Sequence, residues 1–336
     1  MTNNLTPSGD LVLEQLGINP HNLRADFPTR EQRLQYTAVV LWLTDYKPKP
    51  DATNRDKVRG YLEAFHHLCV VEDWERASEI LSIRLNTPTN EELHHQLNTW
   101  GYYRELVDLY STILSKLSQS LDATFFYGLG KVYYVMGDYV KAIECSQRSL
   151  DIARKIRGKK EEGVALSNLG LTYNSLGEYA KAIKYHQQSL TIARQVGNPY
   201  DEGNALGNLG NAYLSLGDYP QALDYQQQSL IIARAIGNRY GEGTALGNLG
   251  LAYWSLGDYH RAINYHQESL TIAQEIGHRH SEAINFHSLA LINQQLDRLN
   301  YAVEYCDRAL SLATELGIPL VKECQELKEQ LLREQT

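Results

Sequence analysis

Asn168, Asn208 and Asn248 stand at intervals of 40 residues. Each offers a side-chain donor and a side-chain acceptor that match the N–H and C=O of an extended peptide backbone. Three such side chains in register are a hydrogen-bonding ladder able to grip a peptide whatever its sequence; alternatively, each ties neighbouring helices together or caps a backbone group. Histidines are the next candidates for chemistry. His278 and His280, with His260 and His266 nearby, lack a carboxylate or cysteine at ligand spacing, and His66 with His67 and His94 with His95 are adjacent pairs whose members are expected to face different sides of a helix. No metal site and no cofactor is expected. Cys69, Cys145, Cys306 and Cys324 are far apart and form no CxxC unit, which predicts reduced thiols rather than a disulfide frame or a zinc site. No GxxxxGKS/T, GxSxG or HExxH string occurs, and no enzymatic activity is expected.

The elements that carry these residues are set by a repeat. From Gly163 the chain reads GVALSNLGLTYNSLGEYAKAIKYHQQSLTIARQVGNPYDE and from Gly203 GNALGNLGNAYLSLGDYPQALDYQQQSLIIARAIGNRYGE, with 24 of 40 positions identical. A third copy runs from Gly243 to Glu282, with diverged copies at Ala123 to Glu162 and from Ala283 to about Gly317. Upstream, Trp74 with Ala77 and Tyr103 with Leu106 occupy the places of Tyr179 and Ala182, so about seven units are expected. Within a unit, Leu166, Leu169, Tyr173 and Leu176, then Ala182, Ile183 and Leu190, fall at helical spacing on either side of a Gly-acid-Tyr break, which predicts a helix hairpin. Gly177, Gly217 and Gly257 are expected to end the first helix in the left-handed conformation. Gly170, Gly210 and Gly250 sit inside it, where glycine costs about 1 kcal/mol against alanine; their recurrence predicts close approach of the paired helix. Ala290 fills that place in the last unit, where looser packing is expected.

The L-G-x-x-Y of the first helix and the alanine with its following aromatic in the second resemble the tetratricopeptide repeat. The longer unit and the LGNLG string are similar to the forty-residue variety of Leu-Gly-Asn repeat adaptors and kinesin light chains. The resemblance covers about Arg55 to Gly317. It implies an all-α fold, a right-handed α-solenoid of about seven hairpins with a C-terminal capping helix. It also implies that the first helix of each unit lines a concave groove with its second, fifth, sixth, ninth, twelfth and thirteenth positions. The sixth gives Asn168, Asn208 and Asn248, for which the resemblance implies peptide contact. The ninth gives Lys131, Leu171, Asn211 and Leu251, and the twelfth Tyr134, Leu214 and Trp254. Leu171, Leu214, Leu251 and Trp254 are the expected apolar anchors, although Trp254 is equally placed to pack on the next repeat. Tyr127, Lys131, Tyr134 and His287 would form the ends of the strip. The second positions, Thr124, Val164, Asn204, Thr244 and Ile284, lack the lysines and arginine of the clamp that holds a C-terminal carboxylate in this family. An internal segment or an amphipathic helix is the expected ligand.

The expected organisation is a helical extension and linker over 1–50, two degenerate units over 51–122, five units over 123–162, 163–202, 203–242, 243–282 and 283–318, and a capping helix over 319–336. Thr29 to Asp45 reads as a helix, Lys47 to Asp51 as a stiff linker, and the first 28 residues as loosely held. A net charge of −8 argues against nucleic acid or an anionic membrane as partner. The tight basic cluster Lys155, Arg157, Lys159 and Lys160 is read as a solvated loop. Met1 to Asp10 lacks the pattern of a secretion signal, and the apolar run Ala38 to Leu43 is far below the roughly 20 residues of a membrane span, so a cytoplasmic protein is expected. The functional readings are an adaptor or sensor that holds a peptide in its groove, a regulatory part of a larger bacterial signalling assembly with a nucleotide-driven switch or protease partner, or a self-associating scaffold.

Overall fold

The computed structural model describes residues 5–87 and 90–334. Among them nineteen helices occur and, apart from an isolated bridge between Arg84 and Glu92, no β-structure. The chain divides into two compact units, Met1–Glu161 and Glu162–Thr336.

The first unit contains α1 (Gly9–Gln15), α2 (Leu23–Asp26), α3 (Arg30–Thr44), α4 (Asn54–Lys57), α5 (Arg59–Val70), α6 (Trp74–Leu81), α7 (Leu93–Thr99), α8 (Tyr103–Ile113), α9 (Gln119–Val135) and α10 (Tyr139–Ile156). Trp74 and Tyr103 open α6 and α8, and Ala77 and Leu106 are fully buried. The early residues differ from expectation. Val12, Leu13, Leu16 and Ile18 lie in the core, α1 packs on α3, and a Cβ at Gly9 would sit 2.1 Å from the Leu43 carbonyl oxygen. Apolar residues at helical spacing seat this segment, so residues 5–28 are not a loose extension. The basic cluster is less of a loop than expected: Lys155 lies in the last turn of α10, and Lys159 opens the next helix.

The second unit is built from α11 (Lys159–Ser175), which begins just before it, then α12 (Tyr179–Val196), α13 (Pro199–Leu216), α14 (Tyr219–Ala235), α15 (Arg239–Ser255), α16 (Tyr259–Glu275), α17 (Arg279–Gln295), α18 (Leu299–Leu316) and α19 (Leu320–Glu334). Each first helix begins a turn before the glycine that marks the repeat in sequence, because Asn198 and Asn238 accept from backbone N–H groups as N-caps and Pro199 stands at the first helical position. Gly177, Gly217 and Gly257 adopt φ of +77°, +84° and +78°. The acid that follows, Asp218 or Asp258, caps the second helix. Each hairpin is pinned internally by a buried serine hydroxyl: Ser189, Ser229 and Ser269 donate to the carbonyls of Gly163, Gly203 and Gly243 at 3.0, 2.9 and 2.8 Å. Each second helix packs on the next first helix, and α19 closes the unit by burying Cys324, Leu327 and Leu331.

The mid-helix glycines are explained by side chains rather than by backbone contact. A Cβ at Gly170 would lie 2.4 Å from the His186 ring, one at Gly210 2.6 Å from the Gln226 amide, and one at Gly250 2.7 Å from the His266 ring. His186, Gln226 and His266 are each 1% exposed. In the last hairpin Ala290 is fully buried in a cluster with Cys306, Leu327 and Leu331. The smaller cysteine admits the methyl group, so packing there is not loose.

Candidate functional site

The sixth, ninth and twelfth positions of a first helix are three residues apart and therefore share a face. In the second unit that face carries Asn168 and Leu171 on α11, Asn208, Asn211 and Leu214 on α13, and Asn248, Leu251 and Trp254 on α15, all half-buried. Asn204 on α13 is exposed, and His287 on α17 is half-buried. Tyr127, Lys131 and Tyr134 lie on α9 in the first unit, Lys131 exposed and the two tyrosines half-buried.

The three asparagines are not equivalent. Asn208 donates through Nδ2 to the Ser167 hydroxyl at 3.3 Å, which ties α13 to α11. Asn168 is also engaged. Gly207 takes the place of Ser167 in the next repeat, so the same tie is not available to Asn248. Asn211 faces inward in part: its Oδ1 accepts from Gln226 Nε2 at 2.8 Å, and the same nitrogen donates to the Gly207 carbonyl at 2.9 Å. Trp254 makes no aromatic ring contact among the described residues.

Sequence reasoning passed over the buried polar residue that faces the mid-helix glycine within each hairpin. Ser146 Oγ, His186 Nδ1, Gln226 Oε1 and His266 Nε2 are buried without a protein partner among the described residues. Burial pushes the His186 ring down to about 4. It lowers His266 too, against the partial support of Asn285, whose Oδ1 lies 3.0 Å from His266 Nδ1. The detectable signal was a polar residue exactly 16 positions after each mid-helix glycine in a stretch otherwise built for burial. His287 is also lowered by burial, with the Glu323 charge opposing.

The other candidate groups resolve into structural roles, with one exception. His278 caps α17, its Nδ1 accepting from Ser281 N–H at 3.2 Å. Burial pushes the thiols of Cys145 and Cys306 up to about 11 and those of Cys69 and Cys324 to about 12, so none is a thiolate at neutral pH. Tyr173, Tyr213 and Tyr253 stack on Tyr185, Tyr225 and Tyr265, each pair with centroids 5.4 Å apart. The exception is His94 and His95. Their rings do not diverge to different sides of α7 but stack with centroids 4.1 Å apart, His94 buried and His95 exposed. No helix among the described residues is long and apolar enough to cross a membrane.

A tetratricopeptide-repeat family model matches residues 121–195 and 201–275. By sequence, no curated protein matches the chain. A signal transduction ATPase with numerous domains and a tetratricopeptide-repeat sensor, from Pyrococcus horikoshii, is similar in structure over 96% of this chain and 48% of its own, with TM-score 0.59 and 17% identity. The chain thus spans about half the length of that protein. A Rap protein complexed with competence and sporulation factor is similar over 97% of this chain and 98% of its own, with TM-score 0.56 and 16% identity. Aspartyl phosphate phosphatase F from Bacillus subtilis is similar over 99% and 92%, with TM-score 0.56 and 13% identity. Identities this low speak to fold alone. Helix hairpins repeating every 40 residues, the Gly–His/Gln packing between their helices and the matched family model together show that residues 121–195 and 201–275 are tetratricopeptide repeats.

Proposed function

We propose that the chain is a protein-binding adaptor or sensor module that holds a peptide or helical segment along the first helices of its second unit, without catalysis of its own. One observation carries this reading: an asparagine recurs at the same half-buried place on α11, α13 and α15, beside the half-buried Leu171, Leu214, Leu251 and Trp254. Asn168, Asn208 and Asn248 supply donors and acceptors for a backbone, and Leu171, Leu214, Leu251 and Trp254 supply apolar contact. A protein of similar fold is known in complex with competence and sporulation factor. A micromolar ligand, about −8 kcal/mol, is the expected scale.

The test is to pan a random peptide library against the full chain and against the Asn168, Asn208 and Asn248 triple alanine variant, matched for melting temperature. Enrichment on the wild type that vanishes on the variant supports the reading; enrichment on neither moves the weight to folded partners or self-association. A second reading is favoured by the span of 48% over an ATPase with a tetratricopeptide-repeat sensor. In it, this chain is the regulatory part of a larger signalling assembly whose nucleotide chemistry resides in another polypeptide. Co-purification with a P-loop protein, sensitive to bound nucleotide, would distinguish it from a free-standing adaptor.

A further inference from the structure

We propose that Glu92, His94 and His95, in the first unit, bind a divalent transition-metal ion of the zinc class. One ligand atom from each lies within 4.8 Å of the other two. Glu92 is the residue that precedes α7, and the histidines lie in its first turn. The segment is fixed by backbone pairing: Leu93 N–H donates to the Ile83 carbonyl at 2.8 Å and Leu85 N–H to the Glu91 carbonyl at 2.9 Å, on either side of the bridge between Arg84 and Glu92.

His94 is held at both ring nitrogens. Its Nδ1 lies 2.7 Å from the Tyr110 hydroxyl and its Nε2 lies 2.9 Å from Glu92 Oε2. The second distance is close to that between two ligands of one ion, since bonds of about 2.0–2.1 Å at tetrahedral angles place donor atoms about 3.3 Å apart. The Tyr110 contact is the outer partner that fixes ring orientation in many histidine metal sites. His95, exposed and stacked on His94, reaches the common point by a small turn of its ring. Arg84 lies 3.9 Å from Glu92 Oε1 and leaves Oε2 for the ion.

Binding requires a proton shift and no other reaction. With His94 neutral, the proton between its Nε2 and Glu92 moves to Nδ1 when the ion takes the Nε2 lone pair. Nδ1–H then donates to the Tyr110 oxygen, whose hydroxyl either donates or accepts. Two imidazoles and one carboxylate suit zinc, cobalt or nickel, whereas calcium and magnesium need oxygen ligands. Three protein ligands leave a further position for water or for a donor from a partner. The histidines of the second unit do not offer this arrangement, because His278 Nδ1 is taken by its capping bond.

The test is to titrate Zn2+ and Co2+ into the reduced full chain and to follow heat and cobalt absorption. One ion per chain is expected, with d–d bands and no strong sulfur-to-cobalt charge transfer, and Ca2+ should not compete. His95→Ala, at an exposed position, should weaken binding at least about tenfold, and Tyr110→Phe about tenfold, with unchanged circular dichroism. No binding at micromolar Zn2+, binding unchanged in His95→Ala, or a thiolate signature would overturn the proposal.

Discussion

The two units hold their hairpins together by different means. In the first, Phe65, Leu68, Leu85, Leu93, Leu97 and Ile113 are fully buried in one continuous core, and α5 to α8 have 12, 8, 7 and 11 residues. In the second, helices of 17 or 18 residues run from α11 to α18. Their contacts rest on alanine and glycine facing a buried serine, histidine or glutamine, with only small apolar clusters such as Leu230, Leu246, Leu249 and Ile272 between hairpins. Large irregular side chains pack well but cannot repeat, so the packing of α5 to α8 is its own solution. Small residues at fixed places can repeat, and they leave one helix face free to carry the same side chains in successive units. Repetition of a surface therefore depends on economy in the core.

Four measurements break or sharpen that contrast. Phe65→Ala leaves a cavity in the continuous core and should cost about 3–5 kcal/mol, seen as lost amide protection in α5 to α8. Acid should act on the second unit. The His186 pKa falls from the ordinary 6.5 to about 4 on folding, so unfolding takes up a proton. The stabilisation is complete above pH 6.5 and is lost as the pH falls toward 4, by about 3 kcal/mol in all. Denaturant midpoints measured from pH 7 to 4.5 should drop for the wild type and flatten in His186→Gln, which copies the Gln226 of the next repeat; an unchanged slope would remove His186 as the cause. Gly210→Leu should overpack the hairpin against Gln226 by at least about 1–3 kcal/mol, readable as a lower melting temperature. Asn208→Ala gives up a long, half-buried hydrogen bond and should cost under about 1 kcal/mol, and Asn248→Ala less still. A larger loss at Asn208 than at Gly210 would make the asparagine ladder architecture rather than a binding device.

Much of the fold was legible because helix period, turn glycines and repeat length are local properties. Gly177, Gly217 and Gly257 end their helices where the Gly-acid-Tyr break places them, and Cys324, Leu327 and Leu331 seal the C-terminal helix. The candidate face was legible in part. Register puts the sixth, ninth and twelfth positions of one helix on a shared face, yet hydrogen-bond partners are set by neighbouring repeats. Hence Asn208 reaches Ser167 and Asn211 is taken by Gln226.

By itself, the sequence determined the hairpins, their number of residues and the faces that repeat, since each follows from spacing along one chain. Tertiary structure alone decided which glycine makes room for which side chain, that Val12, Leu13, Leu16, Ile18 and Phe27 join the core, and that Glu92, His94 and His95 meet. Those outcomes depend on side-chain volume and on direction across helices, and neither is encoded in spacing.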